Sequence, residues 1–397
     1  MTNERADSKL NNALTEAVPE SVPASSSDLI ARIKELELRL SKPLSPLKKT
    51  IADIAYPQLE KAARKVDEDQ SKLAGDIFPR YFPPTLGEML NLLLKDPDGY
   101  LERIEEYERI CPSPDLDFST ETREFTASVK DPMRKMEEAR VEKALMHLLV
   151  DRSRKNGEKL TALDLGSGNG RIARLVEKRF TDTAEMGGYK YTVWGIDILP
   201  SNVYGAKELG KKIGSKVDFL EGDISRLDFG TNTLSFVSSV ATLYLIGKHR
   251  RPLVIAEIAR VLEENGGVSC IVNPNEQFTC RDYGYIMLRT AFDRYFNPLN
   301  ISVMRRLGSR VFYIEELGKK RPDMGFPDRA EMTSAIGDVL GAELLDLYSF
   351  PNGIGPNLMT AHSFRITTKT KDVLRKYTDC RESQGIKRSD RDSCTQR

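Results

Sequence analysis

One stretch constrains this chain more than any other: Thr161-Ala162-Leu163-Asp164-Leu165-Gly166-Ser167-Gly168-Asn169-Gly170-Arg171. It reads as a buried strand, a glycine-rich turn and the start of a helix. Leu160 to Leu165 is a short, largely apolar run that ends in glycine, and Ile172, Ala173, Leu175 and Val176 then stand at helical spacing. Alternating glycines after a strand let the backbone turn sharply and approach a ligand closely. The new helix aims its free N–H groups and the positive end of its dipole at the same place. Such a turn suits a nucleotide or a nucleotide-like cofactor.

Spacing separates the cofactors. A phosphate-cradling loop needs Lys-Ser or Lys-Thr after its last glycine, and Gly170 is followed by Arg171-Ile172. A dinucleotide fingerprint needs a glycine where Arg171 stands. What remains is Asp-x-Gly-x-Gly-x-Gly, with an acidic residue two places before the first glycine. A carboxylate there repels phosphate and suits a cation. S-adenosylmethionine (SAM) carries an ammonium and a sulfonium and no phosphate. Here the sequence resembles the class I SAM-dependent methyltransferases, whose first motif has this form. The resemblance implies that Asp164, Gly166, Ser167, Gly168 and Gly170 line a SAM site.

Further strands follow in order. Tyr191 to Ile196 reads as a second strand closing on Asp197-Ile198. A carboxylate at that place can accept both ribose hydroxyls, a need that SAM and NAD share. An NAD-linked oxidoreductase therefore stays as the runner-up for the glycine turn. A third strand, about Lys216 to Leu220, leads to Glu221-Gly222-Asp223-Ile224. By resemblance, Asp223 would meet the adenine amino group and Ile224 the ring. A fourth strand, about Thr233 to Ser238, leads to Ser239 and Tyr244. Ligands of such sheets sit at the carboxyl ends of the strands, so Ser238, Ser239 and Tyr244 should face cofactor or acceptor. The chain lacks the Asn-Pro-Pro-Tyr or Asp-Pro-Pro-Tyr sequence of the enzymes that methylate exocyclic amino groups or glutamine amides.

Arg260-Val261-Leu262, the stop Asn265-Gly266-Gly267 and a fifth strand at Val268 to Val272 continue the resemblance. Ala342 to Ser349 and His362 to Thr368 read as two last strands reversing through 351–357. The expected fold is α/β: a doubly wound, seven-stranded, mostly parallel sheet with a terminal antiparallel pair, plus an N-terminal all-α lobe. Residues 1–27 are polar and read as a disordered tail. Residues 28–130 form the helical lobe, a candidate surface for a protein partner. Within it, Phe78 to Pro84 reads as an aromatic-proline connector that cannot be an interior helix. Thr85-x-x-Glu88 is a capping box, and another helix spans about 99–110. Asp131-Pro132 starts a long helix and the domain proper, 131–370. Residues 274–330 are a cap insertion, and 371–397 a C-terminal tail.

Five scattered cysteines without a CxxC pair, and only three histidines, argue against a zinc site and for a reducing, cytoplasmic setting. No run approaches the roughly 20 apolar residues of a membrane span. A net charge of +1 makes no global call on nucleic acid, although the Arg- and Tyr-rich insertion leaves RNA open. Methyl transfer from a sulfonium is an in-line displacement whose main demand is positioning. Its leaving group becomes neutral, so no acid is needed to expel it. Tyr244, His249, Asn273, Glu276 and Tyr283 are candidates by position; none is assigned as catalytic. His147 reads as a packed residue. The leading expectation is a SAM-dependent methyltransferase with a small-molecule acceptor. RNA or protein as acceptor, and a SAM-binding scaffold without activity, are the alternatives.

Overall fold

The computed structural model describes residues 72–112, 132–152, 159–187, 190–274, 321, 323–350 and 359–385. Residues 1–71, the cap at 275–320 and the last residues, 386–397, lie outside these, together with most of what was expected of them. The chain divides into two units. The first is Met1–Ile77 with Glu108–Asp117, whose described residues are mainly helical. The second, Phe78–Tyr107 with Phe118–Arg397, holds the sheet.

The seven strands are β1 (Leu160–Leu165), β2 (Tyr191–Asp197), β3 (Asp218–Glu221), β4 (Phe236–Val240), β5 (Val268–Pro274), β6 (Glu343–Phe350) and β7 (Met359–Arg365). They lie in the order β3-β2-β1-β4-β5-β7-β6. The first five pair in parallel, while β7 runs antiparallel to both β5 and β6. This is the expected sheet. Every residue of β1 is buried, as a strand covered on both faces must be. The strand order reverses at β1, which has β2 on one side and β4 on the other; ligands of open α/β sheets sit at such a point.

Helices α1 (Leu86–Lys95), α2 (Pro97–Ile110), α3 (Pro132–Arg152), α4 (Arg171–Gly187), α5 (Pro200–Ile213), α6 (Arg251–Val261), α7 (Arg329–Ser334) and α8 (Thr368–Ser383) lie among the described residues. Val141, Ala144, Leu145 and Leu148 of α3 share one core with Ile172, Val176 and Phe180 of α4 and with β1, β2, β4 and β5. Every residue of α6 is buried, including Glu257 and Arg260. It packs against α1 and α8. Lys371 of α8 closes its C-terminal end, donating to the carbonyls of Ala259 (2.7 Å), Arg260 (3.0 Å) and Leu262 (2.6 Å).

Three expectations need correction. Residues 371–383 are not tail: Thr367 and Thr370 make a capping box, and α8 buries Leu374, Tyr377 and Cys380. The lobe boundary at 130 fails for α1, which packs on α6 and α8 and belongs with the sheet. Its capping box between Thr85 and Glu88 is present. The connector begins later than expected: helix 72–81 carries Pro79 in its last turn and stops before Pro83-Pro84. Strand limits also shift by a few residues, β4 starting at Phe236 and β7 at Met359.

Candidate cofactor site

The glycine turn is built as its sequence demands. Gly166, Gly168 and Gly170 have φ of 63°, 53° and 79°, all left-handed. A Cβ on Gly166 would stand 2.3 Å from Thr242 Cγ2, and one on Gly170 2.2 Å from Phe219 Cζ. Around Gly168 it would meet nothing within 4 Å. Two glycines thus serve close packing, and the middle one leaves bare backbone facing open space. Gly170→Ala combines a left-handed φ with the Phe219 clash. It is expected to destabilise the domain by about 1–3 kcal/mol, read as a lowered urea midpoint with unchanged slope.

Backbone bonds tie neighbouring strand tips together. Ser167 N donates to Ile196 O (2.9 Å), and Gly222 N to Asp197 O (3.1 Å). Thr242 Oγ1 donates to Leu165 O (3.2 Å), bringing the end of β4 to the start of the turn. Ala241, beside it, holds a left-handed φ of 56° that a side chain rarely adopts.

Asp197 is the hub. Its Oδ2 accepts from Gly168 N (2.8 Å), and its Oδ1 from Leu199 N (3.0 Å) and Asn202 Nδ2 (3.2 Å). Ile198 next to it is 65% exposed, an apolar side chain left at the surface beside a buried carboxylate. Asp223 accepts from Ser225 N and Oγ (both 2.8 Å) through Oδ1, and pairs with Arg250 Nη1 (3.2 Å) through Oδ2. Ile224 is buried.

Residues 162–266, which contain the glycine turn, Asp197, Asp223 and β4, match the family model described as a methyltransferase domain. The chain carries a methyltransferase domain, and methyl transfer is its class of activity. No curated protein matches the chain. Among solved structures, a SAM-dependent methyltransferase from Aquifex aeolicus is 17% identical, with 62% of this chain and 98% of that one covered at a TM-score of 0.37. The geranyl diphosphate C-methyltransferase from Streptomyces coelicolor A3(2) is 12% identical, with 58% and 79% covered at a TM-score of 0.36.

Asp164 and Ser238, both expected to line the cofactor site, bond to each other. Ser238, fully buried, donates to Asp164 Oδ1 at 2.8 Å. The Asp164 carboxyl is itself buried at the end of β1. Burial pushes its pKa up to about 7, against the Ser238 hydrogen bond and the charge of Arg171, with Asp197 adding to the rise. The folded state thus keeps a proton that the unfolded chain loses near pH 4. Stability from this group falls as pH rises from about 4 to 7. Asp164→Asn keeps an acceptor for Ser238 and should flatten that fall by roughly 1–3 kcal/mol, measured as the difference between urea stabilities at pH 5 and pH 8.

Ser167 Oγ and Ser239 Oγ are among the buried hydroxyls of the described residues that have no partner. Half-buried Tyr244 packs on Phe326 with ring centroids 5.5 Å apart. Burial, and next the charge of Glu137, push its phenol up to about 12. Asn273 Oδ1 accepts from Leu243 N at 3.1 Å, a structural bond that fixes the loop after β4. His249 is buried among Phe78, Phe82 and Tyr107, stacked on Phe82 at 5.5 Å, and is a packing residue. His147 is part-buried on α3. Glu276 and Tyr283 lie outside the described residues. Among the described residues no cluster of His, Cys, Asp or Glu could hold a metal, and no helix is long and apolar enough to cross a membrane.

Sequence reading did not single out Asn202, Thr242 and Arg250, which bond to Asp197, Leu165 and Asp223. Asn202 was within reach, five residues past Asp197 in the first turn of a helix. Thr242 and Arg250 arrive through the third dimension alone.

Proposed function

We propose that this methyltransferase acts on a small-molecule acceptor, and that the glycine turn with Asp197, Ile198, Asp223 and Ile224 holds its SAM. The observation that carries the reading is the bond between Gly168 N and Asp197, which draws bare backbone and a carboxylate to one point. A carboxylate offers about four acceptor directions, and protein donors take three of those on Asp197. The remaining one, on Oδ2, suits a ribose hydroxyl. Exposed Ile198 offers an apolar surface beside it for the adenine ring. Ser167 Oγ, unpartnered within the turn, is a further polar group for the cofactor. Asp197 and Asp223 at the strand tips, with no lysine in the glycine turn, favour a cationic ligand over a phosphorylated one.

When bound, SAM supplies an electrophilic methyl group on a sulfonium. The chain then has to align an acceptor with it and keep water out. Tyr244, at the tip of β4, stays protonated at neutral pH, so it can donate a hydrogen bond to an acceptor or pack against it without ionising. The balanced net charge supplies no general attraction for RNA.

Labelled SAM incubated with the chain and a cell extract tests the reading. Label is expected in the small-molecule fraction. Label in RNA or protein would replace the acceptor class, and no transfer to any fraction would favour a binding scaffold. Calorimetry with SAM and with NAD checks the cofactor independently.

A further inference from the structure

Arg171 opens α4 directly behind the glycine turn. A cation on the first residue of a helix stands against the helix dipole. Three groups of α3 compensate. The Arg134 carbonyl (3.4 Å) and Glu138 Oε1 (2.9 Å) accept from Nη1, and Glu137 Oε2 accepts from Nη2. Burial works against the charge, yet the two glutamates hold the guanidinium above the ordinary arginine pKa. Glu137 is itself buried, so this is no loose surface pair.

Glu137 is near enough for its charge to act on the Tyr244 phenol. Arg171 in turn acts on Asp164 at the end of β1. The first turns of α3 therefore stand beside the residue that follows the glycine turn, at the strand where the order reverses.

We propose that Arg171 is a positioning residue: its bridge to Glu137 and Glu138 holds the start of α3 as a roof over the cofactor site and sets how long SAM stays bound. The inference rests on the SAM site proposed above. A bridge that merely ties two helices would contribute stability and leave ligand kinetics alone.

The test compares wild type, Arg171→Met and Arg171→Lys. Two quantities are read: the SAM dissociation rate by stopped flow, and amide hydrogen exchange over residues 134–142 with and without SAM. In the wild type, SAM is expected to slow exchange over that segment. Arg171→Met keeps the apolar stem and loses the charge. It should speed dissociation about tenfold and abolish the SAM-dependent protection, since a helix start no longer tied down opens locally more often. Arg171→Lys should recover part of both. A lowered melting temperature with unchanged dissociation and unchanged protection would overturn the roof and leave a simple tie. Should Arg171→Met fail to fold, Glu138→Gln at the more exposed partner is expected to raise dissociation about threefold; no change there would overturn the proposal. Wild-type chain that binds no SAM would instead remove the cofactor site on which the roof depends.

Discussion

Asp197→Ala is expected to weaken SAM binding about a hundredfold, the largest effect of any single change at the site. Two losses add. The cofactor loses a charged hydrogen-bond acceptor, worth about 1.5–3 kcal/mol. Gly168 N, Leu199 N and Asn202 Nδ2 lose theirs as well, so the turn that should receive the ligand is no longer held. Asp197→Asn separates the two, because its amide oxygen can still accept from part of this set. It should recover most of the thermal stability and only a minor share of the affinity. Calorimetry and a melting curve on both variants decide the matter. Equal SAM affinity in wild type and Asp197→Ala would remove Asp197 from the cofactor site.

Glu257→Ala is expected to cost about 3–5 kcal/mol of stability, enough to leave the domain marginal or unfolded. Glu257 is fully buried. It accepts from Arg260 at both oxygens (2.8 Å each), from Tyr377 Oη (2.8 Å), from Arg381 Nε (3.2 Å) and from Leu227 N (2.7 Å). Burial pushes its carboxyl up, but Arg260, Arg381 and Tyr377 prevail and hold it below the ordinary value. Removing the carboxylate strands the guanidinium of Arg260, which has no exposure to water, and that of Arg381, which has little. Glu257→Gln keeps the shape and two hydrogen-bonding groups and should lose less. Urea unfolding of the three chains at pH 7 measures the difference. A loss below about 1 kcal/mol for the alanine variant would show that the stranded cations find other partners or water.

What could be read in the sequence was local. The glycine turn, Asp197 at a strand end and the repeated strand–helix rhythm lie within short stretches, and the sheet follows from them. Asp164 was placed at the cofactor because it stands two residues before the first glycine of the turn. Nothing in Leu163-Asp164-Leu165 tells which way the carboxyl turns, and Ser238, which holds it, comes 74 positions later. Asp223 was expected to be open to adenine. Its ion pair with Arg250, 27 positions on, could be seen only once the loop after β4 was in place. Helix α8 was lost for another reason. Its apolar residues Leu374, Tyr377 and Cys380 are spread thinly among charges, and the polar groups it buries at Glu257 look from sequence like a solvated face.

The place of β7 between β5 and β6 has a consequence for how the chain is made. Vectorial synthesis delivers β6 before β7, and among the described residues β6 pairs with no strand except β7. As the chain leaves the ribosome, the outer edge of β5 waits open, and β6 has nowhere to dock. The nascent domain therefore carries an unpaired, apolar edge until its last strand and the helix after it emerge. A release just short of residue 359 would leave β5 exposed as a template for a neighbouring chain, and Glu257 without its donors Tyr377 and Arg381.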